Sequence, residues 1–298
     1  MPLPRRLARL APALVVLAAL ASCAGPPVVL HNMAVSEGAY SFAGHQLQWI
    51  AATPDIGELD KVPVAVMLEG DGAGCQEFDA RRWRTFVTKY AGNFTLVRPV
   101  TAINRLCDTP AFGRLDFSHR QRELVAIMQS VRAAFGKRPL VLIGHSAGAA
   151  LAVLHANAHP GQIAGVVNLS GGIDALDDVK RGLCKNDACR AEADAWMARM
   201  RLNKHVDEPD KVRSPKFFAQ MLDLPVAEAW LKYQGPLLLL HGEHDNAVPI
   251  ALVRASLQRI PLRPNLTVRL EPTWGHAILY KRDTWIQIDA WLRQTKLP

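Results

Sequence analysis

The sequence predicts an α/β protein with a mainly parallel sheet, helices on both faces and a helical insertion before the last strands. Short runs rich in leucine and β-branched residues, such as 139–143 and 235–241, have the continuous apolar character of strands buried on both faces. Helical stretches separate these runs along the chain, which indicates parallel strands joined by crossover helices. In such sheets ligand sites lie at the carboxyl ends of the strands.

The first 22 residues have the pattern of a signal peptide. Three arginines precede an apolar stretch at residues 10–20, which is too short to span a bilayer as a typical helix. The run that closes it, Leu20-Ala21-Ser22-Cys23, resembles the bacterial lipobox, whose cysteine carries fatty acyl chains such as palmitate. This resemblance implies export and lipid anchoring through Cys23. The alternative is ordinary cleavage nearby and a soluble secreted protein.

The resemblance to the lipobox also implies a cellular location. Ala24 rather than aspartate follows the cysteine, which favours the outer membrane, facing the periplasm of a bacterial cell envelope. Residues 23–39, which include a Gly-Pro-Pro run, are expected to form a tether.

The rest of the chain divides into a core at 40–172 and 235–298 and a helical cap insertion at 173–234. The insertion is much longer than a direct strand-to-helix connection, so it is expected to hold helices of its own. Within the core, Ser118 is placed to cap a long helix that ends near Gly136. The predicted strands are 46–51, which is antiparallel, and 62–68, 94–98, 139–143, 165–170, 235–241 and 266–270.

A serine stands at the turn between a strand and a helix. The run Gly144-His145-Ser146-Ala147-Gly148 follows the strand at 139–143 and leads into a small-residue helix. Such a turn holds its serine in a strained conformation and admits only small neighbours. The strain exposes the hydroxyl, and the helix N-terminus points at any negative charge that forms there. Ser146 is therefore predicted to be a nucleophile.

A serine nucleophile needs a base and an acid that orients it, and both are available downstream. Asp245 follows the strand at 235–241, and His276 follows the strand at 266–270. Two other carboxylates compete for the role of the acid: Glu243 in the same loop, and Asp174, which follows the strand at 165–170. His145, His241 and His244 are expected to be structural.

Taken together, these runs resemble the α/β-hydrolase superfamily. The resemblance rests on Gly144-His145-Ser146-Ala147-Gly148, on His241-Gly242-Glu243-His244-Asp245 with Val248-Pro249, and on Trp274-Gly275-His276. It covers the chain from about residue 40 to the end. It implies Ser146 as nucleophile, His276 as general base and acid, and Asp245 as the residue that orients the histidine.

The expected oxyanion hole departs from the common pattern of this superfamily. The amide of Ala147 is one expected donor, and Asp71 would supply the second by position. The loop there reads Glu69-Gly70-Asp71-Gly72-Ala73-Gly74-Cys75, where many relatives carry His-Gly. We expect Glu69 to turn inward and to hydrogen-bond the loop backbone.

The cysteine count indicates an oxidising compartment. Without Cys23 an even set of four cysteines remains, which allows three pairings. Proximity favours a Cys184–Cys189 disulfide, which leaves Cys75–Cys107 as the second one. The second bridge would connect the predicted oxyanion loop to the segment after the strand at 94–98.

Composition narrows the classes of function. The formal net charge is +8, three of the arginines lie in the predicted signal peptide, and no basic run is present, so nucleic-acid binding is not indicated. No cysteine and histidine spacing resembles a zinc site, and we predict no metal and no cofactor.

The expected activity is that of an exported, lipid-anchored serine hydrolase acting on a small-molecule carboxylic ester through an acyl-enzyme. The same residues would serve a thioesterase, or a serine peptidase or amidase. The alternative from another class is a non-catalytic surface lipoprotein that binds a ligand or partner.

Overall fold

A computed structural model describes residues 32–70, 80–102, 115–174, 176–206, 214–261, 263–295 and 297. The strands are β1 (Met33–Phe42), β2 (His45–Pro54), β3 (Val64–Leu68), β4 (Thr95–Pro99), β5 (Leu140–His145), β6 (Gly165–Leu169), β7 (Leu237–Gly242) and β8 (Leu266–Glu271). The helices are α1 (Ala80–Tyr90), α2 (Phe117–Phe135), α3 (Ala147–Ala158), α4 (Leu176–Gly182), α5 (Asp187–Leu202), α6 (Pro215–Leu222), α7 (Val226–Lys232), α8 (Ile250–Arg259) and α9 (Arg282–Gln294).

These strands form one sheet in the order β1-β2-β4-β3-β5-β6-β7-β8. The two first strands are antiparallel, and the pairs from β4 onward along the sheet are parallel. The predicted fold class, a mainly parallel sheet with helices on both faces, is confirmed.

Each central strand contributes to two cores, one on each face of the sheet. In β5, Leu140 and Leu142 face a core that also contains residues of α2, α3 and α7, while Val141 and Ile143 face a core built with α1 and α9. Successive side chains of a strand point to opposite faces, so a continuous apolar run fills both cores at once. Full burial of one such aliphatic side chain contributes about 1.5–3 kcal/mol.

The sheet begins earlier in the chain than the sequence predicted. Met33–Phe42 form β1, which pairs along its whole length with β2, so the predicted boundary between tether and core at residue 40 is wrong. Most side chains of this edge strand are exposed, and they show no apolar alternation that a sequence pattern could detect.

The N-terminus of α2 is capped by Asp116, which corrects the assignment of that role to Ser118. The Asp116 carboxylate accepts the amide of His119 at 2.9 Å and the hydroxyl of Ser118 at 2.7 Å. The same buried carboxylate lies 3.4 Å from Lys216 Nζ of α6, so it also connects α2 to the insertion.

The insertion contains α4 to α7. Cys184 and Cys189 are joined by a disulfide, with their Cα atoms 5.3 Å apart. The last helix of the insertion, α7, contributes Trp230 to the core that contains residues of α2 and α3, where this side chain is fully buried. Among the described residues no helix combines the length and apolar character needed to cross a membrane.

A buried glutamate joins α2 to the chain that leaves β4. Glu123 Oε1 accepts the amide of Ala102 at 2.6 Å and lies 3.0 Å from the hydroxyl of Tyr40. Burial raises the pKa of Glu123 to about 7, although these hydrogen bonds and the charge of Arg120 act in the opposite direction. The folded protein therefore retains a proton on Glu123 at a pH where the unfolded chain has lost it.

This difference predicts a pH-dependent stability. The Glu123 contribution is fully present below about pH 4.5 and is lost as the pH rises through about 7, because the unfolded state then binds fewer protons than the folded state. In Glu123→Gln, which stays neutral, the loss of unfolding free energy between pH 5 and pH 8 should be smaller than in the wild type. Urea unfolding at both pH values measures it.

The exposed Glu228 of α7 offers a matched control. Glu228→Gln should keep the wild-type pH dependence. An identical dependence in wild type and Glu123→Gln would show that Glu123 is ionised in the folded protein at both pH values.

Candidate active site

Ser146 occupies a strained turn between β5 and α3. Its backbone angles are φ 53° and ψ −124°, a conformation that non-glycine residues rarely adopt. The Ser146 amide donates to Leu169 O at 2.9 Å, and the Ser146 carbonyl accepts from Ala149 at 3.0 Å. The turn is therefore held by main-chain bonds to both the neighbouring strand and its own helix.

Glycines surround this turn because the backbones approach too closely for side chains. A Cβ added to Gly144 would lie 2.3 Å from Gly148 O, and one added to Gly148 would lie 2.3 Å from Leu68 O. A Cβ on Gly70 would lie 2.7 Å from the Cβ of Ser146. We call the Gly144–Gly148 turn the elbow and residues Glu69 and Gly70 the exit of β3. The glycines at Gly144, Gly148 and Gly70 are thus required by contact distances.

The structure brings Asp245 and His276 together. His276 Nδ1 lies 2.9 Å from Asp245 Oδ2 and 3.0 Å from Oδ1. A carboxylate only accepts, so the imidazole donates from Nδ1 and its Nε2 is left to accept a proton. This is the tautomer that a general base next to a serine requires.

The two rival carboxylates have other partners. Glu243 pairs with Arg254 on α8, with 2.5 Å between the charged atoms. Asp174 lies 2.5 Å from Arg259 and accepts a hydrogen bond from the hydroxyl of Ser256, both on α8. Of the three candidates, Asp245 is the one in contact with His276.

The Asp245 carboxylate is buried and accepts several hydrogen bonds from the protein. Burial by itself would raise its pKa, but the hydrogen bond from His276 and those from the amides of Val248 and Ala247 hold the pKa of Asp245 below its usual value. His241, fully buried beneath this loop, donates to Val248 O at 2.8 Å, and burial lowers its pKa. Asp245 therefore remains an anion, and His241 supports the loop that carries Asp245.

His145 contacts the candidate base, a role that the sequence did not reveal. Its Nε2 donates to the carbonyl of His276 at 2.9 Å, and the two rings lie 4.9 Å apart between centroids. Burial lowers the pKa of His145, which favours the neutral ring. His145, the residue before Ser146, thus holds the loop of His276 against the turn at Gly144–Gly148. The signal available in the sequence was only its position beside Ser146.

The contact of His145 with His276 places His276 beside the residue that precedes Ser146. Among the described residues there is no hydrogen bond between the Ser146 hydroxyl and the His276 imidazole. Such bonds are often long in a free enzyme and shorten when substrate is bound. The side chain of His276 keeps 24% of its surface exposed, so its ring is accessible from solvent.

Of the predicted oxyanion donors, the structure describes one. Ala147 is the first residue of α3, and the amides of a first helical turn have no partner within the helix. Asp71 lies outside the described residues, as do Cys23 and the predicted Cys75–Cys107 disulfide. Glu69 turns inward as expected, and its carboxylate pairs with Arg98 of β4.

We find no set of three or more histidine, cysteine, aspartate or glutamate side chains that could hold a metal ion in the described part of the chain. The chemistry available at the edge of the sheet is that of a hydroxyl, an imidazole, a carboxylate and a helix N-terminus. These groups suit nucleophilic attack on an electrophilic carbon with an oxyanion as intermediate.

Comparisons with known proteins agree with this architecture. The family model described as the alpha/beta hydrolase family matches residues 72–287. No curated protein is significantly similar to the sequence.

Solved structures of hydrolases share the fold. One is ferulic acid bound to Est1E from Butyrivibrio proteoclasticus, with a TM-score of 0.61, 14% identity, and coverage of 86% of this chain and 98% of that one. Another is the esterase domain of a Rhodothermus marinus protein, with a TM-score of 0.56, 17% identity and coverage of 88% and 99%. A third is a membrane phospholipase A described as a bacterial virulence factor, with a TM-score of 0.54, 18% identity and coverage of 87% and 86%.

The reactivity of the Ser146 hydroxyl distinguishes the three carboxylates. In Asp245→Asn the rate of Ser146 phosphonylation by a fluorophosphonate should fall on the order of 10³-fold or more, because the imidazole loses its orienting anion. The matched variants Glu243→Gln and Asp174→Asn should react close to the wild-type rate. Time-resolved mass spectrometry measures all four proteins. A slow Asp174→Asn with a fast Asp245→Asn would assign the acid to β6.

Proposed function

This chain belongs to the alpha/beta hydrolase family, and we propose that it is a serine hydrolase that cleaves a carboxylic ester through an acyl-enzyme on Ser146. The observation that carries this proposal is the Asp245–His276 pair, joined to the strained elbow of Ser146 by His145.

The proposed reaction has two half-reactions on the same residues. His276 Nε2 takes the hydroxyl proton as Ser146 Oγ attacks the ester carbon, and the carbonyl oxygen becomes an oxyanion facing the amide of Ala147. Collapse expels the alcohol, which receives the proton from His276. Water then attacks the acyl-enzyme with His276 again as base, the bond to Ser146 Oγ breaks, and Ser146 regains the proton from His276 as the carboxylic acid leaves. The anionic Asp245 stabilises the imidazolium in both steps.

The structural neighbours favour an ester substrate over an amide or a thioester. One of them is Est1E with ferulic acid bound, another is an esterase domain, and a third is a membrane phospholipase A. At 14–18% identity these neighbours share the fold with this chain, so the substrate class is carried as part of the proposal.

We also propose that the protein is exported and anchored by lipid on Cys23, with a Cys75–Cys107 disulfide in the mature chain. The proposal is supported by the run Leu20-Ala21-Ser22-Cys23 and by the even number of remaining cysteines. Detergent-phase partitioning of wild type and Cys23→Ser tests the anchor, and peptide mapping without reductant tests the disulfide.

The acyl-enzyme can be trapped directly. With a short acyl ester, the wild type should acquire the mass of one acyl group on the peptide of Ser146, and hydroxylamine should remove it as the hydroxamate. Ser146→Ala should acquire none and should lose turnover by a factor on the order of 10⁴ or more, because no other group takes over the attack.

A parallel screen of acyl esters, thioesters and aminoacyl amides defines the substrate class. Turnover of esters at least tenfold above amides is the expected result, since an amide has the poorer leaving group. Strict preference for amides would replace the esterase with a peptidase or amidase. A folded wild type that neither acylates nor reacts with a fluorophosphonate would instead favour the non-catalytic lipoprotein.

A further inference from the structure

The exit of β3 forms a wall of the nucleophile elbow. A Cβ added to Gly70 would lie 3.3 Å from Ser146 Oγ and 3.2 Å from His145 O. A Cβ on Gly148 would lie 2.8 Å from Glu69 O. Glu69 and Gly70 thus lie against His145, Ser146 and Gly148 of this turn, and a shift of their backbone would move directly against Ser146.

Two arginines hold this exit in place. Arg98 of β4 forms an ion pair with the Glu69 carboxylate, and the two side chains retain only 5% and 10% of their exposed surface. Arg120 of α2 donates from Nη2 to the carbonyl of Glu69 at 2.6 Å. The side chain and the main chain of one residue are thereby fixed from two different elements.

The position of Arg98 is itself determined by packing. Its guanidinium lies 4.0 Å from the ring centroid of Trp83 and 4.4 Å from that of Phe86, both on α1. A guanidinium stacked on aromatic faces is held in orientation as well as in place. Because the Arg98 guanidinium is held by this stacking, it also fixes the position of the Glu69 carboxylate.

A contribution to stability does not explain this arrangement. Buried ion pairs rarely stabilise a fold more than apolar residues of similar volume, because both charges lose their hydration. A buried pair does fix geometry, since its charged hydrogen bonds are directional and costly to break. The Glu69–Arg98 pair lies beside the turn of Ser146, where a fixed backbone position would affect a reaction at Ser146.

We propose that Glu69, Arg98 and Arg120 form a clamp that positions the exit of β3 against Ser146 for attack. The three are positioning residues, and they act through the backbone of Glu69 and Gly70 rather than by touching the substrate. This proposal rests on the proposed serine hydrolase activity. A misplacement of about 1 Å at a reacting group lowers a rate by about 10²-fold, so loss of the clamp should lower kcat about 10- to 100-fold with KM nearly unchanged.

The decisive variant separates positioning from folding. Arg98→Met alone leaves the Glu69 carboxylate buried without this partner and should lower both Tm and kcat. The double variant Glu69→Gln with Arg98→Met removes both charges, so Tm should return toward the wild-type value while kcat stays low. The inhibition constant of an alkyl boronic acid, which mimics the tetrahedral intermediate, should rise by about the factor by which kcat falls.

Arg138 provides the matched control at the opposite end of β3. It is also a buried arginine near an aromatic ring, 5.4 Å from the centroid of Phe135, and it donates to Val62 O at 2.8 Å and to Thr95 Oγ1 at 2.5 Å. Arg138→Met should lower Tm, because it leaves a buried carbonyl without its donor, and should leave kcat and boronic acid inhibition unchanged.

Conservative variants add a second readout. Arg120→Lys keeps a donor that can reach a carbonyl, and it should retain more of kcat than Arg120→Met at equal Tm. Equal kcat in these two variants would remove Arg120 from the clamp.

The outcomes distinguish the clamp from the activity on which it rests. Ser146 should be labelled by a fluorophosphonate in the wild type and, more slowly, in the double variant. Wild-type protein that is not labelled would overturn the proposed function together with the clamp. Labelled wild type with a double variant of full kcat and unchanged boronic acid inhibition would overturn the clamp alone.

Discussion

The close approach of three backbone segments at Ser146 is the constraint on which the rest of the site depends. The end of β3, the end of β5 and the first turn of α3 meet where Gly144 and Gly148 leave no room for a side chain. Strain of the kind seen at Ser146 costs on the order of 1–3 kcal/mol, and it persists because the strands beneath are buried on both faces. With the elbow fixed, the ends of β7 and β8 carry Asp245 and His276 to the same edge of the sheet.

Pairing with arginines decides which of the three carboxylates contacts His276. Arg254 binds Glu243 and Arg259 binds Asp174, and both arginines lie on α8. Asp245 instead accepts two main-chain amides and the Nδ1 proton of His276, which together outweigh the cost of its burial. The helix that follows the loop of Asp245, α8, thus binds both of the other candidate carboxylates.

A polar face on α2 connects the edge of the sheet that carries Ser146 to the surrounding segments. Asp116, Arg120 and Glu123 are spaced by four and three residues, so they lie on one side of the helix. All three are buried, and they contact α6, the exit of β3 and the chain after β4 in turn. A buried polar group that is hydrogen-bonded specifies one arrangement, whereas apolar contacts tolerate sliding. The face therefore orders segments that the apolar cores alone would leave free to adjust.

The sequence by itself determined the α/β class, the strands with continuous apolar runs, the elbow at Ser146 and the short set of carboxylates and histidines from which a site could be built. These features follow from periodicity and small-residue spacing, which act within a few residues along the chain. The edge strand β1, the contact of Asp245 with His276, the contact of His145 with His276 and the pairing of Glu69 with Arg98 were decided by the tertiary structure. Each of them depends on distances between segments 29 to 131 residues apart, or on a partner across the sheet, and no local pattern encodes such a distance.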